Sequence, residues 1–150
     1  MSAYVSLPLY LLTVPQRYAL VAKRCMECGT LHFPARPVCS NCGKPRWQDE
    51  KLSGLGAIHT FTVISKGGGP AEFDDQQNMT GAYAVAIVEL EEGPRVIGQL
   101  TDITPEASRI TIGMKVKAVV RRIYDQEGVI RYSFKFKPVQ KATGEFRGEE

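Results

Sequence analysis

The chain has 150 residues, of which 43% are hydrophobic and 23% charged, and a formal net charge of +3. This is the composition of a soluble globular protein, and no apolar run approaches the roughly 20 residues that a membrane-spanning helix requires. The length suits one ordinary domain, or a small metal-stapled module beside a small barrel.

Residues 1–24 mix aromatic and aliphatic side chains with Pro8 and Pro15. Tyr4, Val5, Leu7, Leu9, Tyr10, Leu11 and Leu12 form an apolar cluster that a small barrel need not bury, so this stretch reads as a docking segment. Gln16 to Lys23 is expected to form two helical turns. The longest apolar run, Val5 to Val14, is interrupted by Pro8. It lacks a basic leader and a small-residue cleavage site, so it reads as mature protein rather than a signal peptide.

All four cysteines fall in residues 25–50, as Cys25-x-x-Cys28 and Cys39-x-x-Cys42. Two such knuckles ten residues apart have the spacing of a tetrahedral zinc site. Gly29 and Gly43 follow the second cysteine of each, where a residue without Cβ lets the backbone turn around the sulfurs. The competing arrangement, two disulfides, belongs to secreted domains, and a redox pair of the thioredoxin kind would not need a duplicate. A zinc ion held by Cys25, Cys28, Cys39 and Cys42 has no open coordination position and is therefore structural. Reduced thiolates without an export signal imply the cytoplasm. Between the knuckles Leu31-His32-Phe33-Pro34 reads as a short strand, with Pro34 and Pro37 fixing the return to Cys39.

After Trp47 the pattern changes to period two. Strands are expected at 56–64, 82–90, 95–100, 114–123 and 129–137, with tight hairpins at Glu91–Pro94 and Asp125–Gly128. Thr104-Pro105-Glu106-Ala107-Ser108 has the look of a capped helical turn between the third and fourth strands. Five strands with a small helix at that position give the order of an OB-fold barrel. The expected fold is thus mainly β, a rubredoxin-like zinc ribbon at 25–50 followed by a five-stranded OB-fold at 51–138, with a flexible tail at 139–150.

Candidates for chemistry are few. His32 lies within reach of the metal, but four thiolates complete the tetrahedron, so it is read as a ribbon-surface residue. His59 shares a strand face with Ala57, Phe61 and Val63 and is read as a hydrogen-bonded structural histidine. Gly67-Gly68-Gly69-Pro70 lacks the lysine and helix of a phosphate loop. The whole connection 65–81 is either a partner- or ligand-covering loop or a mobile spacer. In the last hairpin Lys115, Lys117, Arg131, Lys135 and Lys137 alternate with apolar residues, which assigns them to an outer, basic face and Tyr132, Phe134 and Phe136 to the barrel interior. A break in alternation at Arg122 and Ile123 marks a bulge or strand end. Those five basic residues are the candidate anion-binding set. Four thiolates with one Zn²⁺ leave a net charge of ~+1, which argues little for nucleic acid.

The combination resembles a family of archaeal and bacterial zinc-ribbon plus OB-fold proteins, long known only as a domain of unknown function, that accompany thiolase-like enzymes. The resemblance runs over residues 14–137. It is carried by Val14-Pro15-Gln16-Arg17-Tyr18, Arg24-Cys25-Met26-Glu27-Cys28-Gly29, Phe33-Pro34-Ala35-Arg36-Pro37-Val38-Cys39-Ser40-Asn41-Cys42-Gly43, Gly56-Ala57-Ile58-His59-Thr60-Phe61-Thr62-Val63, and the 83–98 hairpin with Glu92-Gly93-Pro94-Arg95. It implies a non-catalytic accessory subunit that bridges acetoacetyl-CoA thiolase and hydroxymethylglutaryl-CoA synthase and contributes to coenzyme A binding. The residues agree in one independent respect: such enzymes need a cysteine nucleophile, and none remains once zinc is bound. The alternative reading is a single-strand nucleic-acid-binding OB-fold with a structural ribbon. A free-standing acyl-CoA hydrolase lacks a credible nucleophile or base.

Overall fold

The structure, a computed structural model, describes residues 7–126 and 129–139. It opens with helix α1, Leu7–Ala19, longer and earlier than the two turns expected at 16–23. Leu20, with φ +49°, ends the helix, and the chain enters strand β1, Val21–Cys25, so Val21, Ala22 and Lys23 are strand instead of helix. The reason is tertiary. Val21 to Cys25 pairs with β3, Trp47–Lys51, in a register from Val21 with Lys51 to Cys25 with Trp47, and with the two-residue β2, Leu31–His32. These three strands, in the order β2-β1-β3, make the first sheet. Of the apolar N-terminal cluster, Tyr4 and Val5 lie outside the described residues.

The second sheet has five strands in the order β6-β5-β4-β7-β8. They are β4 Leu55–Ile64, β5 Tyr83–Leu90, β6 Arg95–Gln99, β7 Lys115–Gln126 and β8 Val129–Pro138. A parallel bridge between Leu100 and Phe136, with the Thr101 N–H donating to the Phe136 carbonyl at 2.8 Å, carries the far edge back to β8 and closes the barrel. Inside it Ile58, Ala84, Ala86, Val88, Leu90, Val96, Leu100, Ile110 and Val116 pack around Phe136, which is 0% exposed. Gly98 makes room for that ring, since a Cβ there would stand 2.9 Å from two of its carbons.

Two expectations change. Residues 104–109 form only a turn, closed by the Arg109 N–H on the Glu106 carbonyl at 3.0 Å, and the helix lies elsewhere. The 65–81 connection carries it, as a short 3₁₀ turn at Ala71–Phe73 leading into α2, Asp74–Thr80. Gln77 ties this connection together from inside. Its Oε1 accepts from the Gly67 N–H at 2.9 Å and its Nε2 donates to the Ser65 carbonyl at 3.1 Å. Phe73 stacks on Tyr83 and meets Tyr124 edge-on, which seats α2 against β7.

The β7–β8 hairpin outruns the barrel. β4 pairs with β7 only from Lys115 to Lys117, whereas β8 pairs with it as far as Gln126, and the register shifts between Arg122 and Tyr124 where the alternation of the sequence breaks. Beyond the barrel the inward phase has nothing to fill. Tyr132, expected in the interior, is accordingly 48% exposed. Glu127 and Gly128 of the expected turn, and residues 140–150 of the expected tail, lie outside the described residues. Among the described residues no helix is long and apolar enough to cross a membrane.

Candidate metal centre

Each knuckle is a tight turn closed by its own backbone. The Gly29 N–H donates to the Cys25 carbonyl and the Gly43 N–H to that of Cys39, both at 2.9 Å, and the two glycines have φ of +72° and +70°. Returning bonds run from the Cys25 N–H to the Thr30 carbonyl and from the Cys39 N–H to the Lys44 carbonyl. The knuckles are therefore near-copies, presented face to face by β1 and by the loop that follows β2. Their four Sγ atoms lie within 4.8 Å of one another, with Cys25 to Cys42 and Cys28 to Cys39 both at 3.5 Å.

That spacing matches four thiolates around one zinc, for which Zn–S bonds of ~2.3 Å set sulfur–sulfur separations of about 3.8 Å. The cluster's own chemistry agrees. The Thr30 hydroxyl, 3.2 Å from Cys28 Sγ, together with its backbone N–H, holds the Cys28 thiol down to about 5. Cys42 feels first the Lys44 N–H, which lowers it, but burial and the three neighbouring sulfurs push it up to about 12. Sulfurs so crowded resist ionising together unless a cation sits among them. Cys25 and Cys39 are buried and Cys28 reaches the surface.

His32 is not a surface residue. It is buried on β2, its ring meets Trp47 edge-on at 5.2 Å, and its Nε2 lies 3.4 Å from Cys39 Sγ. A thiolate only accepts, so in the metal-bound site Nε2 carries the proton and donates. Trp47 in turn donates through Nε1 to the Pro37 carbonyl at 3.2 Å, fixing the loop between the knuckles. Outside this layer Arg24 grips Glu50 with both nitrogens of its fork, and Arg46 pairs with Glu27 at 2.7 Å.

His59 also departs from expectation. The register of β4 on β5 slips between Ile58 and Thr60, leaving His59 at a bulge. It is exposed there, with Nδ1 3.9 Å from a Glu89 carboxylate that Arg95 already holds at 2.9 Å.

By register Lys115, Lys117, Lys135 and Lys137 share one face of the β7–β8 pair, but they border different depressions. Lys117 and Lys137 stand opposite each other on β7 and β8 and share a depression with Asp102. Lys115 borders a different one with His59, Glu89 and Glu91. Arg131 is half-buried. Lys135 is the correction to the outer-surface reading: it is only 8% exposed, and it lines a cavity of about 330 Å³ with Asp75, Gln76, Thr101, Arg122 and Tyr124.

With this geometry in place, residues 13–48 match the family described as the rubredoxin-like zinc ribbon domain of ChsH2, and residues 49–121 that described as its C-terminal OB-fold domain. A protein of Methanocaldococcus jannaschii, named as a DUF35 domain-containing scaffold protein, is 42% identical over 85% of this chain and 86% of its own length. The chain belongs to the DUF35 family. Another relative, the benzoylsuccinyl-CoA thiolase subunit BbsA of Geobacter metallireducens, is 31% identical over 75% of this chain and 70% of that one. Among solved structures, a chain of the Ltp2-ChsH2(DUF35) aldolase superposes with a TM-score of 0.66 and 27% identity, covering 92% of this chain and 98% of that one. The DUF35 ribbon is a zinc ribbon, and the four clustered cysteines are its metal-binding set.

Proposed function

We propose that this DUF35 chain is a non-catalytic scaffold subunit of a cytoplasmic acyl-CoA enzyme complex. It docks on a thiolase-type enzyme, joins it to a hydroxymethylglutaryl-CoA synthase-type enzyme, and helps to hold acyl-CoA between them. One observation carries the reading: every thiol of the chain stands in a single metal cluster, so no cysteine is left to take up an acyl group. Neither histidine replaces it as the base of a nucleophile. His32 is committed to Cys39, and His59 faces Glu89 on the surface.

Exposed apolar residues supply the means of docking. Ile97 on β6 is 67% exposed, and Val120, Ile130 and Tyr132 on the projecting β7–β8 arm are open as well. Exposed apolar side chains of this kind are candidates for a surface made to be covered. Segment 1–24, whose α1 packs against β8 and β1, belongs to the same docking region. The BbsA relative is named as a thiolase subunit, which supports an enzyme partner of that class. The nucleic-acid reading draws no such support, and Lys135 of the basic set is buried where that reading needs it on the surface.

Affinity purification from the native cell, with mass spectrometry of what accompanies the chain, tests the proposal. The expected companion is a thiolase-type enzyme, lost when Ile97 is changed to aspartate while zinc content stays at one ion per chain. A chain that elutes alone at native concentration overturns the scaffold reading.

A further inference from the structure

The four sulfurs of the metal cluster do not meet solvent alike. Cys25 and Cys39 are buried, Cys42 is half-buried and Cys28 is exposed. A thiolate open to water is the one that an electrophile or a competing chelator reaches first. Whatever steadies Cys28 therefore guards the whole site.

The stretch Thr30-Leu31-His32 supplies that guard. It runs extended beside β1, with the Cys25 N–H on the Thr30 carbonyl at 2.9 Å and with Leu31 and His32 paired to Arg24 and Lys23. Alternate side chains of an extended chain point the same way. Thr30 and His32 accordingly turn to the sulfurs, while Leu31 packs back against the hydrophobic core. Thr30 Oγ1 lies 3.2 Å from Cys28 Sγ and His32 Nε2 lies 3.4 Å from Cys39 Sγ, and those two sulfurs stand 3.5 Å apart. Three residues thus address one sulfur from each knuckle.

The two contacts differ in setting. The His32 ring is buried and held edge-on by Trp47, whereas Thr30 is only half-buried and a threonine hydroxyl can rotate. Asn41 decides its direction. This residue belongs to the opposite knuckle, and its Nδ2 donates to Thr30 Oγ1 at 3.4 Å. A hydroxyl that accepts from an amide keeps its own proton for the sulfur, and a thiolate can only accept. Asn41, Thr30 and Cys28 therefore form a link from one knuckle to the other that bypasses the metal.

We propose that Thr30 is the positioning residue for the exposed corner of the zinc site: its hydroxyl, aimed by Asn41, donates to Cys28, and this hydrogen bond limits attack on the metal centre through that sulfur. A donor on the thiolate draws off electron density and occupies a direction from which an electrophile would approach. The proposal rests on the metal cluster and does not require the scaffold reading.

Alkylation of the intact zinc-loaded chain by N-ethylmaleimide tests it, with the modified cysteines located by peptide mass spectrometry at early times. Thr30→Val keeps the shape of the side chain and removes the hydroxyl. Cys28 is then expected to react about 10-fold faster, the effect of one hydrogen bond to a charged group, with the other three cysteines unchanged. Zinc transfer to a chromogenic chelator should quicken about 10-fold as well. Thr30→Ser, which retains the hydroxyl, should return both rates close to wild type, and Asn41→Ala should give a smaller acceleration at the same sulfur. With Co²⁺ in place of zinc, the visible bands of a tetrahedral site should persist in Thr30→Val while the thiolate charge-transfer band shifts. A Cys28 rate unchanged by Thr30→Val, a Thr30→Ser chain as fast as Thr30→Val, or equal acceleration at all four cysteines, the sign of a loosened ribbon, overturns the proposal. Partner capture reads the scaffold proposal separately, so the two can fail independently.

Discussion

The ribbon and the barrel both hold short antiparallel strands together, and they do it by opposite means. Between Val21 and Lys51 the buried side chains are Ala22, Cys25, His32 and Cys39, too little apolar surface to order some thirty residues against their conformational entropy. The barrel instead supplies most of a continuous cluster that runs from Leu20 to Phe136, to which the ribbon adds Ala22, with Leu31 and Phe33 packed against it. One module is ordered by four sulfurs and the ion they bind, the other by exclusion of water. Losing metal should therefore dissolve one and spare the other.

The largest effect expected is at the ribbon. Cys39→Ser, or chelation of the wild type, should release the metal and abolish protection of the β1–β3 amides in hydrogen exchange, because binding worth about 10–16 kcal/mol in isolated zinc modules is the folding energy here. The barrel amides should stay protected. Metal analysis gives the companion readout, and a serine variant that retains both zinc and ribbon protection would sink the contrast.

The converse substitution is Phe136→Ala. Removing a fully buried ring that fills the space left by Gly98 should cost about 3–5 kcal/mol, read as a lower denaturation midpoint of the barrel at unchanged zinc content. Should the ribbon lose its metal in step, the two modules would be one cooperative unit and the comparison would fail.

His32→Ala is a subtler probe of the ribbon. It removes the N–H donated to Cys39 Sγ and the edge contact with Trp47, and loss of a hydrogen bond to a charged group costs about 1.5–3 kcal/mol. Zinc transfer to a chromogenic chelator should quicken about 10- to 100-fold, with barrel stability untouched. A rate equal to wild type would return His32 to a packing role.

The smallest effect is expected from Arg24→Gln. Its hydrogen bonds and charge hold the Glu50 carboxyl below the usual range, so what this pair contributes is present above the ordinary carboxylate pKa and fades as pH falls through the lowered one. The pair stands open to solvent, where such contributions are minor. Melting at pH 7 and pH 4 should differ almost equally in wild type and variant.

Much of the fold is legible in the residues because it rests on local rules. Cysteine spacing with a following glycine defines a knuckle wherever it occurs, since sulfur reach and a left-handed turn leave little else. Alternation in Gly56–Ile64 and Ala82–Leu90 marks strands with one dry face, and the break at Arg122 and Ile123 marks the bulge. His32 escaped because its burial comes from the second knuckle folding over β2, and a two-residue strand carries no periodicity to show it.

What the residues alone determined is therefore the metal set and the five barrel strands in their order along the chain, all consequences of spacing and side-chain period. Tertiary structure alone decided the rest. It drew Val21, Ala22 and Lys23 out of helix and into a sheet, because β3 offered hydrogen bonds along the whole of β1. It set Lys135 on the wall of a cavity beside α2, so that a residue whose outward phase was readable is largely buried. It also left Tyr132 open where the hairpin outruns the barrel. Phase along a strand states which way a side chain points; what waits there depends on segments far away in the chain, and the packing of those segments sets burial and charge.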